Sequence, residues 1–138
     1  MPLLNDPECA EIARTVAKNV LGGDRVIHTE PWMACESFTV CLAMWPGVFS
    51  FLGTKDPENG VGANHHNELF DINEDVMPSG AAVMAAYADE FLNNPAKSKK
   101  GWFDGDIPAF YEASGYDEGV ISMLKYGTPY KLVEGKQR

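Results

Sequence analysis

The sequence is organised around Gly62-Ala63-Asn64-His65-His66-Asn67-Glu68-Leu69-Phe70-Asp71-Ile72-Asn73-Glu74-Asp75. This stretch follows a short apolar run at residues 48–52 and leads into an alanine-rich segment at residues 73–92. An order of strand, loop and helix places the loop at the end of a strand, where open α/β sheets bind their ligands. Two of the three histidines of the protein lie in this loop, which is therefore the first candidate for a metal site.

The hydrophobic pattern predicts three helices, at residues 6–21, 36–45 and 73–92, because apolar side chains recur at spacings of three and four. Asp6 can cap the first helix and Pro7 suits its first position. Residues 25–30 and 48–52 are short and rich in β-branched or apolar side chains, which favours strands. The predicted fold class is therefore α/β, with about three helices packed on a small sheet and an extended C-terminal arm.

Composition limits the class of protein. A chain of 138 residues with 45% apolar content can bury one core, so a single main domain is expected. The net charge of −9 excludes nucleic acid and anionic membranes as favoured partners, because both would repel it. No apolar run is long enough for a membrane span, and no signal peptide is visible. Three cysteines without CxxC spacing suit a reducing compartment, so the cytoplasm or an organelle matrix is expected, and secretion is not.

The chain changes character near residue 93, which divides it into a main part at residues 1–93 and an extension at residues 94–138. The main part carries 14 acidic and 4 basic residues, whereas the extension carries 6 and 7. At most one short helix, at residues 117–125, is predicted in the extension. It could pack back on its own domain or bind another protein, since aromatic side chains are enriched at interfaces. The candidate partner-binding residues are its seven aromatics: Trp102, Phe103, Phe110, Tyr111, Tyr116, Tyr126 and Tyr130.

Two common ligand motifs are excluded. Asp71, Asn73 and Asp75 begin like a calcium loop, but Val76 occupies the position that requires glycine and Ala82 the position that requires glutamate. The pair Gly60 and Gly62 lacks the third glycine of a dinucleotide fingerprint. His65 and His66 are adjacent, so on an extended backbone they point to opposite sides and one ion would take only one of them.

Five segments, in order, resemble one known family. They are Asn5-Asp6-Pro7-Glu8, MACESF at residues 33–38, PGVFSFLG at residues 46–53, HNELFD at residues 66–71 and NEDVMPSGAA at residues 73–82. Together they are similar to the C-terminal part of the zinc-dependent aminoacylase and amidohydrolase metallopeptidases, which include hippurate hydrolase and the indole-acetyl-amino-acid hydrolases. The resemblance covers roughly residues 3–92. It implies a two-metal site that cleaves the amide bond between an acyl group and an amino acid, the metals activating water and polarising the carbonyl.

The resemblance also assigns residues. His66 matches the C-terminal metal ligand in the family's His-x-Pro-x-Phe pattern, in which Glu68 here replaces the proline. Glu36 and Phe38 match the Ser-Glu-Asp-Phe segment beside the active site, although Cys35 and Ser37 replace the serine and the aspartate. His65 is expected in the vicinity of the same site.

The family's remaining metal ligands and its general base come from an N-terminal half that this sequence does not contain. A catalytic zinc needs about three protein ligands, so this chain is expected to bind no cofactor by itself, and zinc or another divalent metal only when complemented.

Two functional hypotheses follow. In the first, the chain is an accessory or structural subunit derived from such an enzyme, which docks to a protein partner or to its own copies through residues 94–138. In the second, it is the C-terminal fragment of a two-metal amidohydrolase that cleaves N-acyl amino acids when an N-terminal half complements it. Both expect association, because half of a catalytic domain leaves a sheet edge and an apolar face that would otherwise be covered.

Overall fold

A computed structural model describes residues 1–32 and 36–126 of the chain. Three short 3-10 turns accompany the α-helices of this part, at Gly23–Arg25, Pro57–Asn59 and Glu74–Val76. The helices are α1 (Pro7–Leu21), α2 (Thr39–Met44), α3 (Met77–Asn93), α4 (Ile107–Ala113) and α5 (Glu118–Tyr126).

The described residues fall into two compact units. The first unit contains residues 1–6, 36–47 and 98–126, and the second contains residues 7–32 and 48–97. Helices α2, α4 and α5 therefore belong to the first unit, and α1 and α3 to the second. None of the helices within residues 1–32 and 36–126 has the length and apolar character that crossing a membrane requires.

The predicted α/β fold is wrong, because the described residues contain helices and turns but no strand. Of the predicted strand at residues 25–30, Arg25 ends the first 3-10 turn and residues 26–30 are irregular. Residues 48–52 are irregular as well. The β pairing described in the structure is an isolated antiparallel bridge between Asp56 and Val61. An apolar, β-branched run shows that a segment suits an extended conformation, but a strand also needs neighbouring strands, and an isolated pair is at best marginally stable.

The three predicted helices are present with adjusted ends. Helix α1 nearly coincides with the predicted range, whereas α2 spans only Thr39–Met44 because Trp45 adopts an extended conformation before Pro46. Helix α3 begins at Met77, after a 3-10 turn in which the Asn73 side chain accepts a hydrogen bond from the backbone N–H of Asp75 at 2.9 Å. The 3.6-residue period thus predicted these three helices, and local capping determined where they begin and end.

Helices α1 and α3 pack together to form the core of the second unit. Cys9 and Val16 of α1 are buried, as is Ala96 just beyond α3. Gly80 lets α3 approach Leu52 closely, because a Cβ at Gly80 would lie 2.8 Å from a methyl carbon of that leucine. The backbone N–H of Lys97 donates a hydrogen bond of 2.6 Å to the carboxylate of Glu8, which ties the end of this segment to the start of α1.

Up to residue 126, the prediction of an extended C-terminal arm is also wrong, because this part of the chain contains α4 and α5. Residues 127–138 of the predicted arm lie outside the described residues. Helix α5 nearly coincides with the predicted helix at residues 117–125, but α4 was missed. Its start was nevertheless visible in the sequence: Asp106 caps it by accepting a hydrogen bond of 2.9 Å from the N–H of Ala109, and Pro108 lies in its first turn. Phe110 of α4 is only 3% exposed, so this segment contributes a core residue to the first unit.

Backbone contacts join residues 101–103 to α2 within the first unit. The N–H groups of Gly101 and Phe103 donate hydrogen bonds of 3.0 Å to the carbonyl oxygens of Met44 and Ala43. A Cβ at Gly101 would overlap the Ala43 carbonyl group and lie 2.7 Å from the carbonyl oxygen of Leu42. This close approach of two backbones requires glycine.

We therefore expect Gly101→Ala to lower the free energy of unfolding by about 1–3 kcal/mol, because backbone atoms cannot move aside as a flexible side chain can. Urea unfolding followed by circular dichroism measures the effect. Gly53→Ala is the control, since nothing lies within 4 Å of a Cβ at that position, and it should change stability by less than about 0.5 kcal/mol. Equal effects of the two substitutions would contradict the close approach at Gly101.

Candidate functional site

The loop that carries the histidines is closed by hydrogen bonds at its base. Asp56 and Val61 exchange two backbone hydrogen bonds, of 2.7 and 2.9 Å, across the 3-10 turn. One carboxylate oxygen of Asp56 accepts hydrogen bonds from the side-chain amides of Asn59 at 2.8 Å and Asn73 at 2.9 Å. The N–H of Asn73 also donates to the carbonyl oxygen of Thr54 at 2.9 Å. The two ends of the loop, 17 residues apart, are therefore held together next to the start of α3.

A second turn fixes the residues that follow the histidines. The side-chain oxygen of Asn67 accepts a hydrogen bond of 2.8 Å from the N–H of Leu69, and its backbone carbonyl accepts one of 3.0 Å from the N–H of Phe70. Asparagine is well suited to this position because its side chain can take the place of a backbone acceptor in a turn. The turn brings Phe70 back towards His65, and the two ring centroids lie 5.1 Å apart.

His65 lies within a row of aromatic rings. Its ring is tilted by 36° against both Phe70, at 5.1 Å, and Trp32, at 6.1 Å. Trp32 in turn meets Phe51 edge to face at 5.3 Å, and Phe51 meets Phe49 at 5.4 Å. Ring pairs at these separations contribute about 0.5–1.5 kcal/mol each beyond the area they bury. His65 therefore anchors the loop through its contacts with Trp32 and Phe70.

Sequence reasoning missed the part played by Trp32. It lies 33 positions before His65, and no periodicity or motif connects the two residues. The aromatic character of residues 49 and 51 was visible in the apolar run, but the contact with Trp32 depends on the folded chain.

His66 has an unusual backbone conformation. Its φ is 59°, which is the left-handed region, and it is the non-glycine residue with positive φ in the described ranges. This conformation costs a residue with a Cβ roughly 1–2 kcal/mol, although histidine tolerates it better than most. Strained backbone of this kind persists where the surrounding structure fixes it, and it is found at ligand sites more often than elsewhere. The side chain of His66 is exposed, so its imidazole can be reached from outside.

Glu36 and Phe38 belong to the first unit, whereas His65 and His66 belong to the second. The carboxylate of Glu36 accepts a hydrogen bond of 3.1 Å from the N–H of Phe38 and one of 3.4 Å from the hydroxyl of Ser37. Phe38 itself stands at the N-cap of α2. Glu36 thus stabilises the turn that enters α2, while Cys35 lies outside the described residues.

The donor groups of this chain do not make a complete metal site. Among residues 1–32 and 36–126, no three histidine, cysteine, aspartate or glutamate side chains converge in a way that could hold a metal ion. A catalytic zinc takes about three protein ligands, so the described residues do not provide enough ligands to hold one by themselves. His66 can serve as one ligand, and no reaction step follows from this chain alone.

The aromatic residues of the extension have different environments. The ring of Phe110 is buried and contacts Phe103 at 5.3 Å, Trp102 at 6.1 Å and Tyr111 at 5.9 Å. Tyr116 meets Tyr111 at 4.9 Å and is 53% exposed, and Trp102 is 39% exposed. Phe103 and Tyr111 are half-buried. The side chain of Tyr126 and the whole of Tyr130 lie outside the described part of the chain.

Comparison with known proteins identifies relatives. A family model described as peptidase family M20/M25/M40 matches residues 1–90. The chain is 33% identical over 111 residues to the Arabidopsis thaliana protein named IAA-amino acid hydrolase ILR1-like 2, a match that covers 80% of this chain and 24% of that protein. It is 31% identical over 90 residues to Thermostable carboxypeptidase 2 of Saccharolobus solfataricus, with 65% of this chain and 22% of the relative covered. The chain therefore spans about a quarter of the length of these curated relatives. No solved structure matches it.

The left-handed conformation of His66 can be tested by stability alone. His66→Gly and His66→Ala both remove the imidazole, but glycine adopts a φ of 59° without the steric cost that alanine retains. We expect the glycine variant to be more stable than the alanine variant by about 1 kcal/mol in urea unfolding.

The same pair of substitutions at His65 is the control, because its φ is not positive. There, glycine should be less stable than alanine by roughly 0.5–1 kcal/mol, owing to its greater backbone entropy in the unfolded chain. The same order of stability at both positions would contradict the conformation described for His66.

Proposed function

Since this chain belongs to the peptidase family M20/M25/M40, we propose that it forms the C-terminal part of the active site of a metal-dependent hydrolase of N-acyl amino acids. In this proposal His66 is the metal ligand that the chain contributes. The remaining ligands and the general base come from another polypeptide segment of the family's N-terminal type. Family membership also confirms the resemblance on which the assignment of His66 rests.

The observation that carries the proposal is the exposed, left-handed His66. The loop around it is held at both ends by Asp56 and Asn73, and the neighbouring ring of His65 packs on Trp32 and Phe70. These contacts fix the backbone on either side of His66. A ligand held by rigid surroundings loses little conformational freedom when it binds, which favours tight and oriented coordination.

The names of the relatives support the class of substrate. One is named an IAA-amino acid hydrolase and another a carboxypeptidase, and both names describe hydrolysis next to an amino acid. In the assembled site, zinc or a similar divalent metal would supply the activated water and polarise the scissile carbonyl. The contribution of this chain would be the single imidazole of His66, carried on a backbone that the loop contacts hold.

The test uses the chain together with any chain that co-purifies with it. We expect the assembly to contain zinc by elemental analysis and to hydrolyse N-acetyl amino acids. His66→Ala should lower both the bound zinc and the hydrolysis, the latter by roughly 100-fold or more, because the metal loses a direct ligand. His65→Phe is the control, since it keeps an aromatic ring that can contact Trp32 and Phe70 and should retain zinc and most of the activity. A pure assembly with neither zinc nor activity, or an unimpaired His66→Ala variant, would refute the proposal.

A second candidate function is that of an accessory subunit that docks to a protein partner through residues 94–138. The observation that favours it is the exposure of Trp102 and Tyr116 beside the aromatic core of the first unit. Tryptophan and tyrosine are the residues most often found to dominate binding energy at interfaces.

Deletion of residues 94–138 is a poor test of this candidate, because it would also remove the backbone hydrogen bonds of Gly101 and Phe103 to α2. A sharper variant is Tyr116→Ala, which we expect to weaken binding of a co-purifying partner at least about tenfold in isothermal titration calorimetry. Met123→Ala is the control, since Met123 is similarly exposed in the same unit and is not aromatic. Equal affinities of both variants and the unaltered chain would exclude docking through Tyr116.

A further inference from the structure

Helix α3 has two apolar faces, of which only one is packed. The inner face contains half-buried side chains and faces α1 and Leu52. On another side of the helix, side chains at spacings of three and four form an exposed strip, here called the outer stripe. It consists of Met77, Ala81, Met84, Ala85, Ala88 and Leu92.

The outer stripe is unusually exposed to solvent for a surface made of apolar side chains. Met84 is 75% exposed and Leu92 81% exposed, although both are large and apolar. All six residues of the stripe are uncharged, and the polar residues Asp89 and Asn93 lie beside it on the helix. A helix that is apolar around most of its circumference is typical of the interior of a larger protein. Contiguous apolar surface of this kind usually marks a place where another polypeptide packs.

We infer that the outer stripe is the surface on which the N-terminal catalytic part of an M20/M25/M40 protein packs. This inference rests on the proposed function, because it states where the complementing segment binds. The match covers only 24% of the IAA-amino acid hydrolase and 22% of the carboxypeptidase, so most of each relative lies outside the matched segment and could supply such a partner.

The composition of the stripe defines what its partner must offer. Three of its six residues are alanines, so the backbone of α3 can approach a neighbouring helix or sheet closely. Because the stripe carries no charge, the partner surface must be apolar and without ionised groups at its centre. A buried face of a catalytic-domain sheet or helix meets both conditions. Met84 and Leu92 would then be the side chains that fill the contact.

The experiment compares two Ala→Glu substitutions on the same helix. Ala88 lies within the outer stripe and Ala82 outside it, and both are exposed. In the chain alone, Ala88→Glu and Ala82→Glu should both leave the thermal unfolding midpoint within about 2 °C of the unaltered chain, since each is a surface substitution.

The same substitutions are then placed in a chimera. Thermostable carboxypeptidase 2 of Saccharolobus solfataricus is 31% identical to this chain over 90 residues, which cover 22% of its length. Its matching segment is replaced by the complete chain of 138 residues. Ala88→Glu should lower the unfolding midpoint of the chimera by more than about 5 °C or make it insoluble, because the carboxylate would be buried without a partner. Ala82→Glu should have no such effect.

The inference is overturned if both substitutions affect the chimera equally. It is also overturned if the unsubstituted chimera does not fold while the intact relative does under the same conditions. A third contrary result is a dimer of the chain alone that Ala88→Glu converts to a monomer while the chimera is unaffected, since the stripe would then pair with a second copy.

The outcome is separable from that of the proposed function. A chimera whose stability depends on Ala88 but which binds no zinc would support the docking surface and refute the role of His66. A chimera whose zinc binding depends on His66 but whose stability does not change with Ala88→Glu would support the role of His66 and refute the docking surface.

Discussion

The packing of α1 against α3 is the contact on which the second unit depends. Cys9 and Val16 of α1 are buried in this unit, and the packing gives α3 a fixed position at the point where the histidine loop ends. The loop is attached to the start of α3 through Asn73, whose side chain caps the entry to the helix and also donates to Asp56. A shift of α3 relative to α1 would therefore move the base of the loop, and with it His66. In this way the hydrophobic packing of two helices determines the position of a polar site.

Within the loop, contacts of the neighbouring residues hold His66 in its strained backbone conformation. A left-handed φ at His66 is unfavourable for a residue with a side chain, so a free loop would relax away from it. Two sets of contacts prevent this relaxation: the hydrogen bonds to Asp56 at the base, and the contacts of the His65 ring with Trp32 and Phe70. The free-energy cost of the strained backbone is small compared with the total stabilisation from these contacts. The loop thus keeps the backbone of His66 in a conformation that local preference alone would not select.

The parts of the fold that sequence predicted are those that depend on local order. The period of α1 and α3 follows from side chains three and four apart, and α5 was found for a similar reason. The predicted sheet failed because strand pairing is a property of two or more segments, and the pattern of residues 48–52 describes only one of them. Helix α4 was missed although Asp106 and Pro108 signalled its start, since the many aromatic and glycine residues around it concealed the period.

The candidate site was predicted only in part, for the same physical reason. The context of His66 within the family pattern singled it out, but nothing local indicated its left-handed backbone. The contact of His65 with Trp32 and the hydrogen bond between Asp56 and Asn73 join residues that are distant in sequence, so no pattern could predict them. Ser37 stands where the family pattern has aspartate, and in the structure its hydroxyl donates a hydrogen bond to the carboxylate of Glu36.

The exposed outer stripe of α3 and the incomplete ligand set around His66 both indicate that the chain needs a complementary segment. Apolar side chains gain free energy only when something covers them, and a metal is held only when several donors converge. Within the described residues the stripe is exposed, and no three ligands meet. A single complementary segment could satisfy both, because burial of the stripe would supply binding energy while the same segment brought the remaining ligands to His66. The energy of apolar contact would then be what assembles a polar site, as it already does where α1 packs on α3.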